Sequence, residues 1–196
     1  RTIYILPYAM PAFISLLVFR LMFNGIGPIN NMLVNLGIER IPFFTDPILA
    51  KISVLAINTW VGAPYFMVLL SGSLTNISST LYEAAEIDGA TKMQQFKHIT
   101  LPMLLFQTAP VLILSFAYNF NNFGAIYLLT DGNPVNSNLK FAGETDILVT
   151  WLYKLTVNQQ QFGMAAVISI VLFAFIATVS LYNFRKSKSF TEEDMI

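Results

Sequence analysis

Two sets of uncharged polar residues interrupt apolar stretches of the sequence. Within each set the residues are spaced i, i+4 and i+7, which puts them on one face of a helix. The sets are Ser115, Asn119 and Asn122 in one stretch and Asn58, Gly62 and Tyr65 in another. Amides and hydroxyls both donate and accept hydrogen bonds, as the binding of sugar hydroxyls requires. Tyr65 and Tyr118 add flat faces for pyranose rings, whereas an anionic ligand would call for arginine or lysine.

A second interpretation of the same residues is structural. Asparagine and serine side chains also hydrogen-bond one apolar helix to another, and each such bond contributes about 0.6 to 2 kcal/mol in a membrane. The residue types and their spacing fit a ligand site and interhelical contacts equally well, so both interpretations stay open at this point.

The elements that carry these residues are predicted to span a membrane. Of the 196 residues, 55% are hydrophobic and 11% are charged, against about 25% charged residues in a typical soluble domain. A bilayer requires about 20 residues of apolar helix. Four stretches meet this requirement, namely residues 3–23, 48–70, 101–123 and 162–184. The predicted fold class is therefore an all-α polytopic membrane protein.

The connections between these spans carry helix start and stop signals. Asp46-Pro47 predicts the N-cap and the first residue of the second span. Residues 28–36, closed by Gly37, predict a short surface helix. Residues 145–155 have the spacing of an amphipathic helix, and Asp131-Gly132-Asn133-Pro134 before them predicts a turn.

A basic cluster indicates the orientation of the chain. Arg185, Lys186 and Lys188 directly follow the last span. Basic residues next to the end of a membrane helix are enriched on the cytoplasmic side. We therefore expect the C-terminus, and with it the connection over residues 71–100, in the cytoplasm.

This cytoplasmic connection is polar but is predicted to be ordered. Thr80-Leu-Tyr-Glu83 has the form of a capping box, which predicts a helix over residues 81–88 that stops at Gly89. Thr91-Lys-Met-Gln94 is a second box and predicts another short helix. Apolar residues of these two helices would be exposed, and exposed apolar surface marks a docking site. They are Leu81, Ala84, Ala85, Ile87 and Phe96. The alternative is a solvated loop that binds nothing.

The connection also contains a spaced pattern of acidic, small and apolar residues. The pattern is Glu83-Ala84-Ala85, three residues, Gly89, nine residues, Ile99, one residue and Leu101-Pro102. It resembles the cytoplasmic signature of binding-protein-dependent ABC importer permeases. The resemblance implies that residues 78–100 form the coupling loop, which inserts into a cleft of a cytoplasmic ATPase. It further implies that Glu83 pairs with a basic group of the ATPase, that Ala84 and Ala85 permit close approach, and that Gly89 makes the turn.

Three other segments resemble one subgroup of these permeases. They are Trp60-Val-Gly-Ala-Pro-Tyr65, Ser115-Phe-Ala-Tyr-Asn-Phe-Asn-Asn-Phe123 and Leu128-Leu-Thr-Asp-Gly-Asn-Pro134, and they are similar to the maltose and maltodextrin permeases. This resemblance implies a sugar site within the membrane, with Asn58 standing where the subgroup has an apolar residue. The site would consist of Gly62, Tyr65, Ser115, Tyr118, Asn119 and Asn122.

The resemblance covers residues 1–196 and implies the transmembrane domain of a type I ABC importer in the bacterial cytoplasmic membrane. The chain supplies four spans of an expected six-helix core, so two preceding helices are expected to be missing. The implied partners are a second related permease subunit, two cytoplasmic ATPase subunits and an extracellular sugar-binding protein. The ATPase subunits would bind ATP and magnesium, and this chain would bind no cofactor.

Several other functions lack support in the sequence. There is no G-x-x-x-x-G-K-[ST] loop for a nucleotide, and none of the eleven Asp and Glu residues falls in a predicted span. Ion-coupled transporters commonly use intramembrane ionisable groups, so a secondary transporter is a weaker alternative than a permease for another neutral sugar. With no cysteine, metal cluster or nucleophile–base pair, we expect neither a catalytic nor a metal site. A formal net charge of zero gives no basis for binding nucleic acid.

Overall fold

The computed structural model describes residues 9–139 and 141–186. Within them the chain is helical, and the β contact found there is an isolated bridge between Val135 and Gly143. Two five-residue π-helices are present, Phe96–Thr100 and Lys154–Asn158. The α-helices are α1 (Ala12–Met22), α2 (Pro28–Asn35), α3 (Pro47–Thr75), α4 (Ser79–Ile87), α5 (Lys92–Gln95), α6 (Leu101–Phe120), α7 (Phe123–Leu129), α8 (Leu148–Tyr153) and α9 (Phe162–Lys186).

Among the described residues, three helical segments are long and apolar enough to cross a membrane. They are Pro47–Thr75, Lys92–Phe120 and Phe162–Arg185. These segments confirm the spans predicted over residues 48–70, 101–123 and 162–184. The span predicted over residues 3–23 contains the shorter apolar helix α1, and its residues 3–8 lie outside the described residues. Lys188 of the basic cluster also lies outside them.

Two helix boundaries follow the local capping signals. Asp46 Oδ1 accepts hydrogen bonds of 3.0 and 2.8 Å from the backbone N–H groups of Ile48 and Leu49. This cap confirms Asp46-Pro47 as the start of α3. Gly37 has a φ of +77°, and the backbone N–H groups of Gly37 and Ile38 donate to the carbonyls of Val34 and Leu33 in the last turn of α2, the left-handed ending that favours glycine. The predicted short helix before Gly37 is therefore confirmed.

The third membrane helix ends three residues earlier than predicted. α6 ends at Phe120, and Asn122 becomes the N-cap of α7. Asn122 has a φ of −75° and a ψ of 69°, which is not helical, and its side chain accepts a hydrogen bond from the backbone N–H of Ala125. The prediction that Ser115, Asn119 and Asn122 share one helical face is therefore wrong for Asn122.

The chain divides into two compact units. Unit 1 comprises Arg1–Pro64 and Asn119–Phe175, and unit 2 comprises Tyr65–Tyr118 and Ile176–Ile196. Unit 1 has a core of buried aliphatic side chains that pack against one another. The core consists of Leu16 from α1, Val54 and Ile57 from α3, and Ile126 and Leu129 from α7. Burial of these side chains fixes α1, α7 and the first half of α3 within unit 1.

Hydrogen bonds hold the loop between α7 and α8 in unit 1. The hydroxyl oxygens of Thr130 and Thr145 lie 2.7 Å apart, and both residues are buried. Glu144 accepts hydrogen bonds from Lys51 Nζ in α3 and from Asn136 Nδ2, both at 2.5 Å. The bond from Lys51 lowers the pKa of Glu144 below its usual value. The loop is thereby closed on itself and tied to α3.

The amphipathic segment predicted over residues 145–155 begins as a helix later than expected. α8 starts at Leu148 with Ile147 at the N-cap position, because Asp146 is held within the preceding loop. The helical conformation then continues as the π-helix Lys154–Asn158. The predicted turn before this segment is confirmed, with Gly132 at a φ of +77°.

A largely buried ion pair lies against Gly132. Asp146 Oδ2 accepts hydrogen bonds from Lys154 Nζ at 2.7 Å and from the backbone N–H of Gly143 at 2.6 Å. The side chain of Asp146 is 2% exposed and that of Lys154 is 16% exposed. A Cβ at residue 132 would lie 2.0 Å from Asp146 Oδ1 and 2.4 Å from Lys154 Nζ. Glycine is therefore required at this turn by both its conformation and its surroundings.

Replacing Gly132 with alanine should destabilise the protein. The left-handed backbone costs about 1 to 3 kcal/mol for a residue with a side chain, and the new methyl group must also displace the ion pair. We expect a lower melting temperature for the purified full-length variant in detergent. Gly124→Ala is the matched control, because Gly124 is helical and has nothing within 4 Å of its Cβ position. Equal melting temperatures for the two variants would contradict the close packing at Gly132.

Candidate functional site

Three asparagine side chains from three elements of unit 1 form a hydrogen-bonded cluster, which we call the amide cluster. Asn58 of α3 lies at its centre. Its Nδ2 donates to Oδ1 of Asn119 at 3.3 Å, and its Oδ1 accepts from Nδ2 of Asn122 at 3.0 Å. Asn122 Oδ1 also accepts from the backbone N–H of Ala125 at the start of α7. The amide cluster therefore joins α3, the end of α6 and the start of α7.

The amide cluster is accessible as well as structural. Asn119 is exposed, and Asn58 and Asn122 are half-buried. An amide offers two N–H donors and a carbonyl oxygen with two lone pairs. The arrangement can therefore hold the helices together and also present uncharged donors and acceptors to a hydroxyl-rich ligand.

The six predicted sugar-site residues are divided between the two units. Unit 1 contains Gly62, Asn119 and Asn122, and unit 2 contains Tyr65, Ser115 and Tyr118. Within unit 2, the ring of Tyr65 packs edge-on against Phe66 with 5.3 Å between the ring centroids. Tyr118 is 69% exposed. Of the six residues, Asn119 and Asn122 are brought together, through their common partner Asn58.

The role of Asn58 was missed by sequence reasoning. The spacing placed it on the same helix face as Gly62 and Tyr65, but it gave Asn58 no partner. Its two partners lie 61 and 64 residues later in the chain. The available signal was the presence of an amide inside an apolar span, since such a side chain needs a hydrogen-bond partner when it leaves water.

A cleft of about 460 Å³ lies beside Asn119 in unit 1. This volume falls within the range of roughly 300–1,000 Å³ found for small-molecule sites. The lining comes from the end of α6, the loop before α8 and α8 itself. It comprises Asn119, Phe120, Leu139, Ala142, Gly143, Asp146, Ile147, Leu148 and Trp151. No local pattern could predict the cleft, because it forms only when these three segments meet.

The predicted cytoplasmic connection is an ordered helix–turn–helix in unit 2. α4 ends at a turn in which Gly89 has a φ of +78°. The backbone N–H groups of Gly89 and Ala90 donate to the carbonyls of Glu86 and Ala85, the two hydrogen bonds of a Schellman motif. The prediction that the first helix stops at Gly89 is confirmed.

The two predicted capping boxes have different outcomes. The first is wrong, because the N-cap of α4 is Ser78, whose Oγ accepts from the backbone N–H of Thr80 at 3.3 Å. The helix therefore starts at Ser79, two residues before the predicted position. The second box is confirmed, since Gln94 Oε1 accepts from the backbone N–H of Thr91 at 2.8 Å and Thr91 Oγ1 accepts from the backbone N–H of Gln94.

The second helix of the connection is not short, as had been predicted, but continues into a membrane helix. α5, the π-helix Phe96–Thr100 and α6 form one helical segment, Lys92–Phe120. The backbone N–H of Leu101 donates to the carbonyl of Phe96, the spacing of a π-turn. Pro102 follows directly, and its ring would clash with the carbonyl four residues earlier in a regular α-helix. The wider π-turn accommodates the proline without breaking the helix.

Side-chain contacts brace α4 against the following helix. The hydroxyl oxygens of Tyr82 and Thr100 lie 2.8 Å apart. Lys92 forms an ion pair with Glu86, and the hydrogen bond from Lys92 lowers the pKa of the Glu86 carboxyl. Each contact joins a residue of α4 to a residue that follows the turn at Gly89, and together they hold α4 against the following helix.

The surface of this connection is apolar in part and carries an acidic group. Ile87 is 87% exposed, and Glu83 is exposed on the same helix. Of the apolar residues predicted to be exposed, Ala85 is instead half-buried. The predicted exposure is confirmed for Leu81, Ala84, Ile87 and Phe96.

Residues 1–188 match the protein family described as binding-protein-dependent transport system inner membrane component. The chain is 42% identical to the galactooligosaccharides transport system permease protein GanP of Bacillus subtilis (strain 168), over 98% of this chain and 46% of that protein. It is also 42% identical to the maltodextrin transport system permease protein MdxF of the same organism, over 100% of this chain and 47% of that protein. It is 45% identical to the maltose/maltodextrin transport system permease protein MalF of Vibrio vulnificus (strain YJ016), over 96% of this chain and 37% of that protein.

Solved structures of similar fold include a bacterial ABC transporter involved in the import of the acidic polysaccharide alginate. The match has a TM-score of 0.80 and 26% sequence identity, and it covers 97% of this chain and 65% of that chain. The alginate transporter in complex with its alginate pentasaccharide-bound periplasmic protein matches with a TM-score of 0.79 and 27% identity. The chain therefore spans about half or less of its curated relatives and about two thirds of these structural neighbours.

Replacing Asn58 with leucine should destabilise the protein, because it removes both hydrogen bonds at the centre of the amide cluster. Hydrogen bonds between membrane helices contribute about 0.6 kcal/mol on average and up to about 1.7 kcal/mol. We expect a loss of about 1 to 2 kcal/mol, measured as a lower melting temperature of the full-length protein in lipid nanodiscs.

Asn183→Leu is the matched control for this substitution. Asn183 Nδ2 donates to the carbonyl of Val179 four residues earlier in α9. This hydrogen bond lies within one helix, so losing it does not separate two elements. A wild-type melting temperature for Asn58→Leu would show that the amide cluster does not stabilise unit 1.

Proposed function

The chain belongs to the family of binding-protein-dependent transport system inner membrane components and has the fold of a type I ABC importer permease, and from this premise we propose that it forms part of the membrane pathway for maltose- and maltodextrin-type oligosaccharides. The curated relatives named above are 37% to 47% covered by this chain. We propose that a second related permease subunit forms the pathway together with this chain.

The amide cluster is the observation that supports this choice of cargo. Its side chains are all uncharged, so it can pair with hydroxyl groups but does not attract an acidic ligand. Two of the relatives compared above are named as maltodextrin or maltose/maltodextrin permeases. In our proposal Asn119 and Asn122 bind sugar hydroxyls while Asn58 holds both of them in place. We propose Gly62, Tyr65, Ser115 and Tyr118 as further residues that contact the sugar.

Galactooligosaccharides are the second candidate cargo. The relative named for their transport is 42% identical to this chain, and galactose presents the same neutral hydroxyl chemistry to an amide. Acidic polysaccharides fit less well, because the amide cluster has no arginine or lysine. Membership of a binding-protein-dependent family also removes the ion-coupled secondary transporter from the alternatives.

Transport would be driven by partners rather than by this chain. We propose two cytoplasmic ATPase subunits that bind ATP and magnesium, and an extracellular sugar-binding protein that delivers the cargo. The connection over residues 78–100 would be the coupling loop. Glu83 would pair with a basic group on an ATPase, Ala84 and Ala85 would allow close approach, and Gly89 would make the turn.

The geometry of the connection supports this coupling role. Ile87 is almost fully exposed beside the turn, and large exposed apolar groups favour docking. The hydrogen-bonded pair of Tyr82 and Thr100 links α4 to the helix that follows. Because that helical segment runs unbroken from Lys92 to Phe120, a push on the coupling loop would move α6. In our proposal this movement of α6 is part of alternating access.

Gly89→Val and Glu83→Lys should uncouple ATP hydrolysis from transport. Valine at residue 89 disfavours the left-handed turn, and lysine at residue 83 repels a basic partner. We expect each variant to assemble but to lose most sugar-stimulated ATP hydrolysis in reconstituted vesicles. Gly72→Val is the control, since Gly72 lies within α3 and has nothing within 4 Å of its Cβ position. Normal stimulation in both loop variants would reject the coupling assignment.

Asn119→Ala, Asn122→Ala and Tyr65→Ala should each weaken sugar uptake. A lost hydrogen bond costs about 0.5 to 1.5 kcal/mol, which corresponds to about a two- to tenfold loss. The measurement is uptake of radiolabelled maltotriose by assembled complexes, with galactotriose as a competitor to rank the two candidate cargoes. Asn183→Ala serves as the control. Unchanged sugar affinity together with lower thermal stability would show that these residues only hold the helices together.

A further inference from the structure

The cleft beside Asn119 has the chemistry of a second sugar subsite. We propose that it binds one further residue of a neutral oligosaccharide whose neighbouring residue occupies the amide cluster. This inference rests on the proposed function and adds a subsite to it. Asn119 belongs to the amide cluster and also lines the cleft, so one oligosaccharide can contact both.

Aromatic side chains supply the first part of the argument. Trp151 of α8 and Phe120 at the end of α6 both line the cleft, and both are half-buried. Flat aromatic rings of this kind can pack against the apolar C–H face of a pyranose, and they bury a large apolar area when they do so. Leu139 and Leu148 extend the apolar wall. A sugar ring entering the cleft would therefore meet the surfaces that its apolar face requires.

A buried carboxylate supplies the second part. Asp146 lines the cleft with a side chain that is 2% exposed. Its Oδ2 is bonded to Lys154 and Gly143, but its Oδ1 has no hydrogen-bond partner within the part of the chain that the structure describes. A buried acceptor without a donor is costly, and a sugar hydroxyl is a suitable donor. The charge of this carboxylate is balanced by Lys154, so the subsite carries no net charge and suits neutral sugars.

Chain length is the observable consequence. A disaccharide can occupy the amide cluster without entering the cleft, whereas a longer oligosaccharide fills both. Removing the aromatic wall should therefore affect long sugars and leave short ones nearly unchanged. A residue that serves only to anchor α8 at the membrane surface would affect all sugars equally.

The test compares uptake of radiolabelled maltose and maltoheptaose by the complete transporter in lipid vesicles. For Trp151→Ala we expect about a two- to tenfold weaker half-saturation for maltoheptaose, an unchanged value for maltose, and recovery in Trp151→Phe. Leu139→Trp should produce the same selective loss by filling the cleft. Because Leu139 is 48% exposed, we expect this variant to fold even if the Trp151 variant does not.

Phe162→Ala is the control for membrane anchoring, since Phe162 is 63% exposed at the start of α9 and does not line the cleft. A selective loss for maltoheptaose in Trp151→Ala or Leu139→Trp supports the subsite. An equal loss for both sugars, or no loss in either variant, overturns the subsite and leaves the proposed cargo intact. A wild-type transporter that takes up neither sugar overturns the cargo and the subsite together.

Discussion

The hydrogen bonds of Asn122 sustain the break in the membrane helix on which the rest of unit 1 depends. Backbone groups without partners cost several kcal/mol in apolar surroundings, so a helix can end there only where something satisfies them. Asn122 accepts from the backbone N–H of Ala125 and donates to Asn58. Because the chain turns at this point, Ile126 and Leu129 reach the core around α1.

The same interaction resolves the choice between structural contacts and a ligand site, because the two are not exclusive. Asn58 and Asn122 are half-buried and join three elements, which is structural work. Asn119 is exposed in the same network and borders the cleft. An amide held by a neighbour keeps its orientation, and a fixed polar group binds a ligand with less loss of entropy than a mobile one. The structural bonds therefore prepare the surface that a sugar would meet.

Sequence reasoning succeeded where the deciding interactions are local. The cap at Asp46 and the turns at Gly37 and Gly89 depend on residues within five positions, so short patterns predicted them. The end of α6 was missed because apolar stretches lie on both sides of Asn121 and Asn122, and the spacing of Ser115, Asn119 and Asn122 also fits a helix that continues through the break. The contact of Gly132 with the Asp146–Lys154 pair was also beyond a local pattern, since it requires residues 14 and 22 positions away.

Pro102 lies within a membrane helix that nevertheless continues through it. Proline ordinarily kinks or ends a helix, because it removes a backbone hydrogen bond and its ring clashes with the preceding turn. The cost in stability is roughly 3 kcal/mol or more. Here the π-turn Phe96–Thr100 takes up the ring, so the segment Lys92–Phe120 remains continuous. Thr100, which contacts Tyr82 of α4, lies in that turn, and Asn119 lies near the other end of the same segment. A break at Pro102 would end the membrane helix at its first turn, so the irregular turn keeps the helical segment continuous with the cytoplasmic connection.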